Sequence, residues 1–283
     1  MKKLLLIFLS LSVFAAASSA QALSGLLIPA DARSQAMGGV MMLPKEAPRL
    51  DVQAFYGLWA PKTAANSLVG GDVYFRAGER VALTLEGRTF LDKPYDITSA
   101  TGQVTGSFRP SDLIIGLGAE IFATDALSIG LKARMASSSI AQGSKGNAFC
   151  GDVSVRYSGE MFFASAGVRN LGSKISYGSA SYALPALVAL GGGIKPDKAL
   201  TLAAEADYLF AGALMLGIGL EYCIQDIVSL RGGFHYGDPA KALPTFASLG
   251  VGAKFAGVHL DLSFLTASKT IGNSLMIGLG YAF

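Results

Sequence analysis

The sequence predicts an all-β fold: a transmembrane antiparallel β-barrel of about fourteen strands with a short N-terminal plug segment. Three observations predict it. Short segments with a period of two fill the chain after residue 48, and within each segment the charged residues keep to one parity, with Glu79 at a segment start the exception. Connections between the segments alternate short and long, and outward aromatic residues gather near segment ends. The chain stops in Met276-Ile277-Gly278-Leu279-Gly280-Tyr281-Ala282-Phe283, alternating apolar residues closed by an aromatic, like the C-terminal signal of outer-membrane barrels.

Composition agrees. The 283 residues are 51% hydrophobic and 15% charged, whereas a soluble domain carries about 25% charged residues. Past residue 20 no stretch reaches the ~18 apolar residues that mark a spanning helix. Thirty-five glycines against ten prolines, without a collagen period, argue against helical packing. Disorder, a coiled coil and a helical membrane bundle are thereby disfavoured.

Residues 1–22 read as a secretory signal peptide. Lys2 and Lys3 precede an apolar run from Leu4 to Ala17, then small residues up to Ala20-Gln21-Ala22. The run is short for a membrane anchor, and no cysteine follows it to carry a lipid. Without the two lysines, 21 basic residues face 20 acidic ones, a balance that suggests no nucleic-acid partner. Residues 23–48 form an N-terminal periplasmic arm or plug, and 49–283 the outer-membrane barrel.

The barrel segments are 49–59, 67–76, 79–90, 111–123, 127–138, 148–157, 161–170, 184–194, 199–210, 213–224, 227–236, 245–255, 258–266 and 274–283. Val81-Ala82-Leu83-Thr84-Leu85-Glu86-Gly87-Arg88 shows the alternation most clearly. Short connections include Ala77-Gly78, Gln225-Asp226 and Ala256-Gly257; longer ones include 91–110, 139–147, 171–183, 237–244 and 267–273, with 211–212 an exception to the alternation. Tyr157, Phe162, Tyr222, Phe255, Tyr281 and Phe283 fall on the short-turn rim, and Tyr208, Phe210, Phe234, Tyr236 and Phe264 on the other. A soluble sandwich would share the alternation, but the signal peptide, terminal Phe and charge parity argue against it. Lipid cannot hydrogen-bond a free sheet edge, so the sheet must close. The expected location is the outer membrane of a Gram-negative bacterium.

A fourteen-strand barrel leaks unless its lumen is filled. Glycine pairs lie on the lumen parity: Gly116/Gly118, Gly191/Gly193, Gly217/Gly219, Gly250/Gly252 and Gly278/Gly280. They either make room for the backbone of residues 23–48 or relieve curvature strain. The lumen charges include Arg88, Arg134, Arg156, Glu205, Asp207 and Arg231. An apolar lumen pocket under the long loops would be lined by Phe55, Trp59, Phe90, Leu209, Phe246 and Leu265. Phe122 and Phe163 face inward near the short turns, where they would pack on the plug.

No catalytic or metal constellation emerges, and no cofactor is expected. His235 and His259 lie toward opposite rims, as do Cys150 and Cys223, which are therefore expected as free thiols. Gly217-Ile218-Gly219 lies inside a strand with no following helix, so it fails the test for a nucleotide loop. No G-x-S-x-G elbow exists. Glu205 and Asp207 share one face, as wall charges do. The expectation is a non-enzyme.

The stretch Ile28-Pro29-Ala30-Asp31-Ala32-Arg33-Ser34-Gln35-Ala36-Met37-Gly38-Gly39 resembles the N-terminal segment of the PorV/PorQ family of outer-membrane proteins, within the wider FadL-like superfamily. Arg169-Asn170-Leu171-Gly172, Leu184-Pro185 opening a strand, and Leu230-Arg231-Gly232-Gly233 before Tyr236 are similar too. The sequence departs where Met41-Met42-Leu43-Pro44-Lys45 replaces the usual Asn-Pro-Ala step. The resemblance implies a fourteen-strand plugged barrel and a docking or accessory role in a complex of the type IX secretion kind, with secretion or assembly subunits as partners. Its alternative is a FadL-like channel for uptake of hydrophobic small molecules. Outer-membrane lipid is a partner in either case, and a hydrophobic ligand in the second.

Overall fold

The computed structural model describes residues 21–44, 48–60 and 65–283. Of the signal peptide expected over residues 1–22, residues 1–20 lie outside the described residues, whereas Gln21 and Ala22 are described. Fourteen strands form one closed antiparallel barrel. They are β1 (Leu50–Trp59), β2 (Asn66–Arg76), β3 (Val81–Leu91), β6 (Ser111–Phe122), β7 (Leu127–Ala141), β8 (Ser144–Ser158), β9 (Phe162–Gly172), β12 (Leu187–Ile194), β13 (Leu200–Leu209), β14 (Ala213–Ile224), β15 (Val228–Gly237), β16 (Phe246–Phe255), β17 (Val258–Ser268) and β18 (Gly272–Ala282). Each pairs with its chain neighbours, and β1 closes on β18 from Asp51↔Ala282 to Leu58↔Leu275. Two small hairpins, β4–β5 (Tyr95–Thr98, Val104–Phe108) and β10–β11 (Ile175–Tyr177, Ala180–Tyr182), stand in the long connections.

The exterior is the apolar stripe of each strand. Leu83 and Leu85, Ile115 and Leu117, Leu216 and Ile218, and Leu249 and Val251 are all exposed, while the opposite parity of the strands holds the charges together with glycines and serines. Both predicted aromatic rims are outward; Tyr157 stacks on Phe162 and Tyr281 meets Phe283 edge-on. An oily outer band bounded by aromatics around a polar interior is the outer-membrane barrel pattern.

Three features differ from the pattern expected. The connection at 139–147 is instead a continuation of β7 and β8, which pair through Ser139↔Lys145 and turn at Gly143 with φ 77°. Likewise β17 and β18 run on to Ser268 and from Gly272. Both extensions pass beyond the oily band, where serines and lysine replace the apolar alternation that marks strands. Finally, β9 does not end at Asn170. A bulge opposite Asp152 shifts the β8–β9 register between Gly151 and Val153, and Asn170 takes φ 58°. Arg169 and Asn170 consequently both face inward, and Leu184-Pro185 precede β12 rather than opening it.

Candidate functional site

Residues 21–44 run through the interior from one mouth toward the other. Ala22 N–H donates to the Ala183 carbonyl at 3.1 Å, in the long connection before β12. A 3₁₀ turn (Ser24–Leu27) and a short helix α1 (Ala32–Ala36) follow, the latter capped by Asp31 accepting from Ser34 N–H at 2.7 Å. This segment has no sheet ladder of its own, so its backbone groups need partners from the wall. Arg88 donates to the Ile28 carbonyl at 2.9 Å. Gly38 N–H donates to Ser248 Oγ at 3.0 Å, and that hydroxyl donates to the Ala36 carbonyl at 2.8 Å. Glu205 Oε2 accepts from both Met41 N–H and Met42 N–H, at 2.7 and 2.8 Å. Ser263 Oγ donates to the Gln35 side-chain oxygen at 2.6 Å.

The inward glycines fall into two groups, of which the first makes room for the N-terminal segment as expected. Side chains at Gly217, Gly219 or Gly233 would collide with residues 37–40, coming within 2.7 Å of Gly38 O, 2.5 Å of Met37 O and 2.5 Å of Met37 C. Gly191 and Gly250 are limited in the same way by Met42 and Ala36. Gly116, Gly252 and Gly280 instead leave room for wall side chains: Glu86 with Arg134, Arg231 with Asp261, and His259. Gly38 approaches the wall itself; with φ 70°, its side chain would strike the carbonyls of Ile218 and Phe234.

Of the expected lumen charges, Arg134, Arg156, Glu205, Asp207 and Arg231 form ion pairs, while Arg88 binds carbonyls of the N-terminal segment. Arg33 grips Glu221 through two bonds of 2.6 and 2.9 Å, and Arg231 joins Glu221 to Asp261. Burial disfavours the Arg33 cation, but the Glu221 carboxylate more than offsets this and raises its pKa above the ordinary value. Arg134 bridges Glu86, Asp152 and Asn170, with Lys132 also on Glu86. Arg169 meets Glu205 at 2.6 Å and Asp207 at 2.5 Å, and Arg156 meets Glu120 at 3.1 Å. The bulge thus sends Arg169 into one network and Asn170 into another. Asn170 also donates to the Pro185 carbonyl at 3.1 Å, joining two of the stretches that carried the resemblance.

Phe55, Trp59, Leu209, Phe246 and Leu265 are buried in one apolar cluster, with Phe90 packed against it. Leu27, Ile28, Ala32 and Met42 of the N-terminal segment belong to the same cluster, and Leu243 and Ile271 cover it from the long connections. Fully burying each large aliphatic side chain contributes about 1.5–3 kcal/mol. A second cluster joins Leu23 and Leu26 to Ile114, Cys150, Ile175 and Leu184. Phe163 packs on Met37, Val40 and Leu43, whereas Phe122 lies under the Arg76 guanidinium, 4.6 Å away.

The histidines are separate. His259 Nε2 lies 2.9 Å from Asp51, while His235 stacks on Phe246 with centroids 4.8 Å apart. Cys150 and Cys223 are free. Among the described residues no group of three metal-ligating side chains converges. Glu221, Ser248, Ser263 and the bulged Asn170 stood outside the candidate site residues. Their signal was a polar residue on the inward parity, which Asn170 alone breaks.

Neither a family model nor a curated protein sequence matches the chain. Solved structures do. The toluene transporter TbuX of Ralstonia pickettii aligns with a TM-score of 0.66 at 14% identity, over 91% of this chain and 99% of that one. The P. putida toluene transporter TodX aligns with a TM-score of 0.64 at 12% identity, over 91% and 99%. A Pseudomonas aeruginosa FadL homologue aligns with a TM-score of 0.56 at 11% identity, over 91% and 99%. The expected secretion-type relatives do not stand among these. The chain shares the fold of FadL-type outer-membrane channels.

Proposed function

We propose that the protein is a channel of the Gram-negative outer membrane that takes up hydrophobic small molecules, with residues 23–44 as its plug. The observation that carries this reading is the apolar cluster beneath the long connections, which the plug helps to build. Phe55, Trp59, Leu209, Phe246 and Leu265 meet Leu27, Ile28 and Met42 there, ringed by charges that bind the plug's backbone. A solute arriving from outside replaces apolar plug contacts with its own, and the polar ring lets the plug slide along the lumen without leaving bare carbonyls. The similarity to toluene transporters supports the same reading. The secretion-docking role implied by the resemblance has no such support. No catalytic group takes part.

The test is uptake. A Gram-negative host lacking its own hydrocarbon channel, supplied with this protein, should accumulate radiolabelled toluene faster than the vector control. Equal rates, together with stoichiometric secretion subunits copurifying in mild detergent, would return the docking reading.

A further inference from the structure

We infer that His235 is the polar recognition point of the solute site, and that the preferred solute is an apolar molecule carrying one hydroxyl. This rests on the uptake reading and sharpens it. His235 projects from β15 into the interior and is only 4% exposed. Its ring lies flat on Phe246, at an interplanar angle of 9°, at the edge of the apolar cluster. Nδ1 sits 3.2 Å from the Gly38 carbonyl oxygen. Nε2 has no hydrogen-bond partner although it is buried.

The tautomer follows from that contact. A carbonyl oxygen can only accept, so Nδ1 must carry the proton. At about pH 8 an imidazole of ordinary pKa, near 6.5, is neutral. Nε2 then bears a lone pair and no hydrogen: a buried acceptor with nothing to accept from. Leaving such a group unpaired is costly, and the cost disappears when a donor arrives. Nε2 lies on the inward face beside Gly237, where an added carbon would sit 3.3 Å from it and overlap the backbone carbonyl of Leu243, so the covering connection closes this side and a solute reaches Nε2 by displacing it. A solute that displaces that connection meets the apolar side chains of the cluster and the unpaired Nε2. A hydroxyl satisfies it; a hydrocarbon leaves it bare, and a carboxylate meets lone pair with lone pair. The plug sets the preference, because Gly38 fixes which nitrogen is free.

Trp59 is the only tryptophan in the chain and belongs to the same cluster, so its fluorescence reports occupancy directly. The full protein in detergent at about pH 8 is titrated with cyclohexanol and with cyclohexane, and the comparison is repeated with His235→Phe. Comparing variants with the same probe cancels its partition into micelles. Cyclohexanol binding should weaken about five-fold in the variant, while cyclohexane binding stays within about two-fold. Equal changes for both probes, or none, would overturn the hydroxyl assignment and leave uptake standing. If neither probe binds the native protein, both readings fall. A measurement on the unmutated chain guards against misfolding of the variant. With only two histidines present, ¹⁵N spectra should show one ring protonated at Nδ1, its Nε2 signal moving with cyclohexanol but not cyclohexane. An Nε2-protonated His235 sinks the inference.

Discussion

Replacing Gly38 by alanine should loosen the plug while leaving the barrel closed. Gly38 has φ 70°, and a side chain there meets the carbonyls of Ile218 and Phe234, the latter at 2.6 Å. Those carbonyls belong to paired strands, since Ile218 faces Phe234 in the ladder, so the wall cannot yield. Left-handed backbone costs an alanine about 1–2 kcal/mol. Moving the backbone away also breaks the Ser248 and His235 hydrogen bonds, at about 1 kcal/mol each. The total, about 3–4 kcal/mol, raises the displaced population roughly 10²–10³-fold. Hydrogen exchange reads this at the Met41 and Met42 amides, which Glu205 holds in the native chain. Gly78→Ala is the control: its φ is 81° but nothing lies within 4 Å of the added carbon. Exchange at Met41 and Met42 should rise sharply in the first variant and stay unchanged in the second. Equal behaviour of the two would refute the close-approach argument.

Further outcomes test the charge networks and the bulge. Arg231→Met removes the cation shared by Glu221 and Asp261 and should cost about 3–5 kcal/mol in urea unfolding. Arg33→Met should cost distinctly less, because Glu221 keeps Arg231. Asn170→Ala loses its contacts with Arg134 and the Pro185 carbonyl as well as its tolerance of φ 58°, lowering stability by about 2–3 kcal/mol. Asn170→Gly should recover about 1 kcal/mol of that in the same unfolding assay. Arg88→Met should speed proteolysis at residues 23–30, where the Ile28 carbonyl loses its donor, with an unchanged barrel melting temperature.

The fourteen barrel strands were legible because each has oil on one face and charge on the other, so the alternation is enforced along its length. Where that contrast fades the pattern fades too. Ser139 pairs with Lys145 and Ala141 with Ser144 in a ladder that continues past the expected end of the strand at residue 138, and nothing in its hydropathy distinguishes it from a loop. The hairpins β4–β5 and β10–β11 are hidden for the same reason. The bulge shows a different limit: an alternating pattern places Arg169 inward and turns Asn170 outward, and only the partner Asp152, eighteen residues away, reveals that both point in. The candidate lining residues were readable as inward and apolar. What they pack on was not, because Leu27, Ile28 and Met42 lie in a segment with no period to follow.

The pairing of β1 with β18 has a consequence for biogenesis. Once that seam forms, residues 23–44, held to the wall by Arg88, Glu205 and Ser248 and continuous in sequence with β1, are encircled by their own chain. They can then slide only lengthwise, through a mouth, and never sideways. Insertion into the bilayer therefore has an order: the leading residues must be laid across the nascent sheet before the last seam zips, and a chain that zips early traps them on the wrong side.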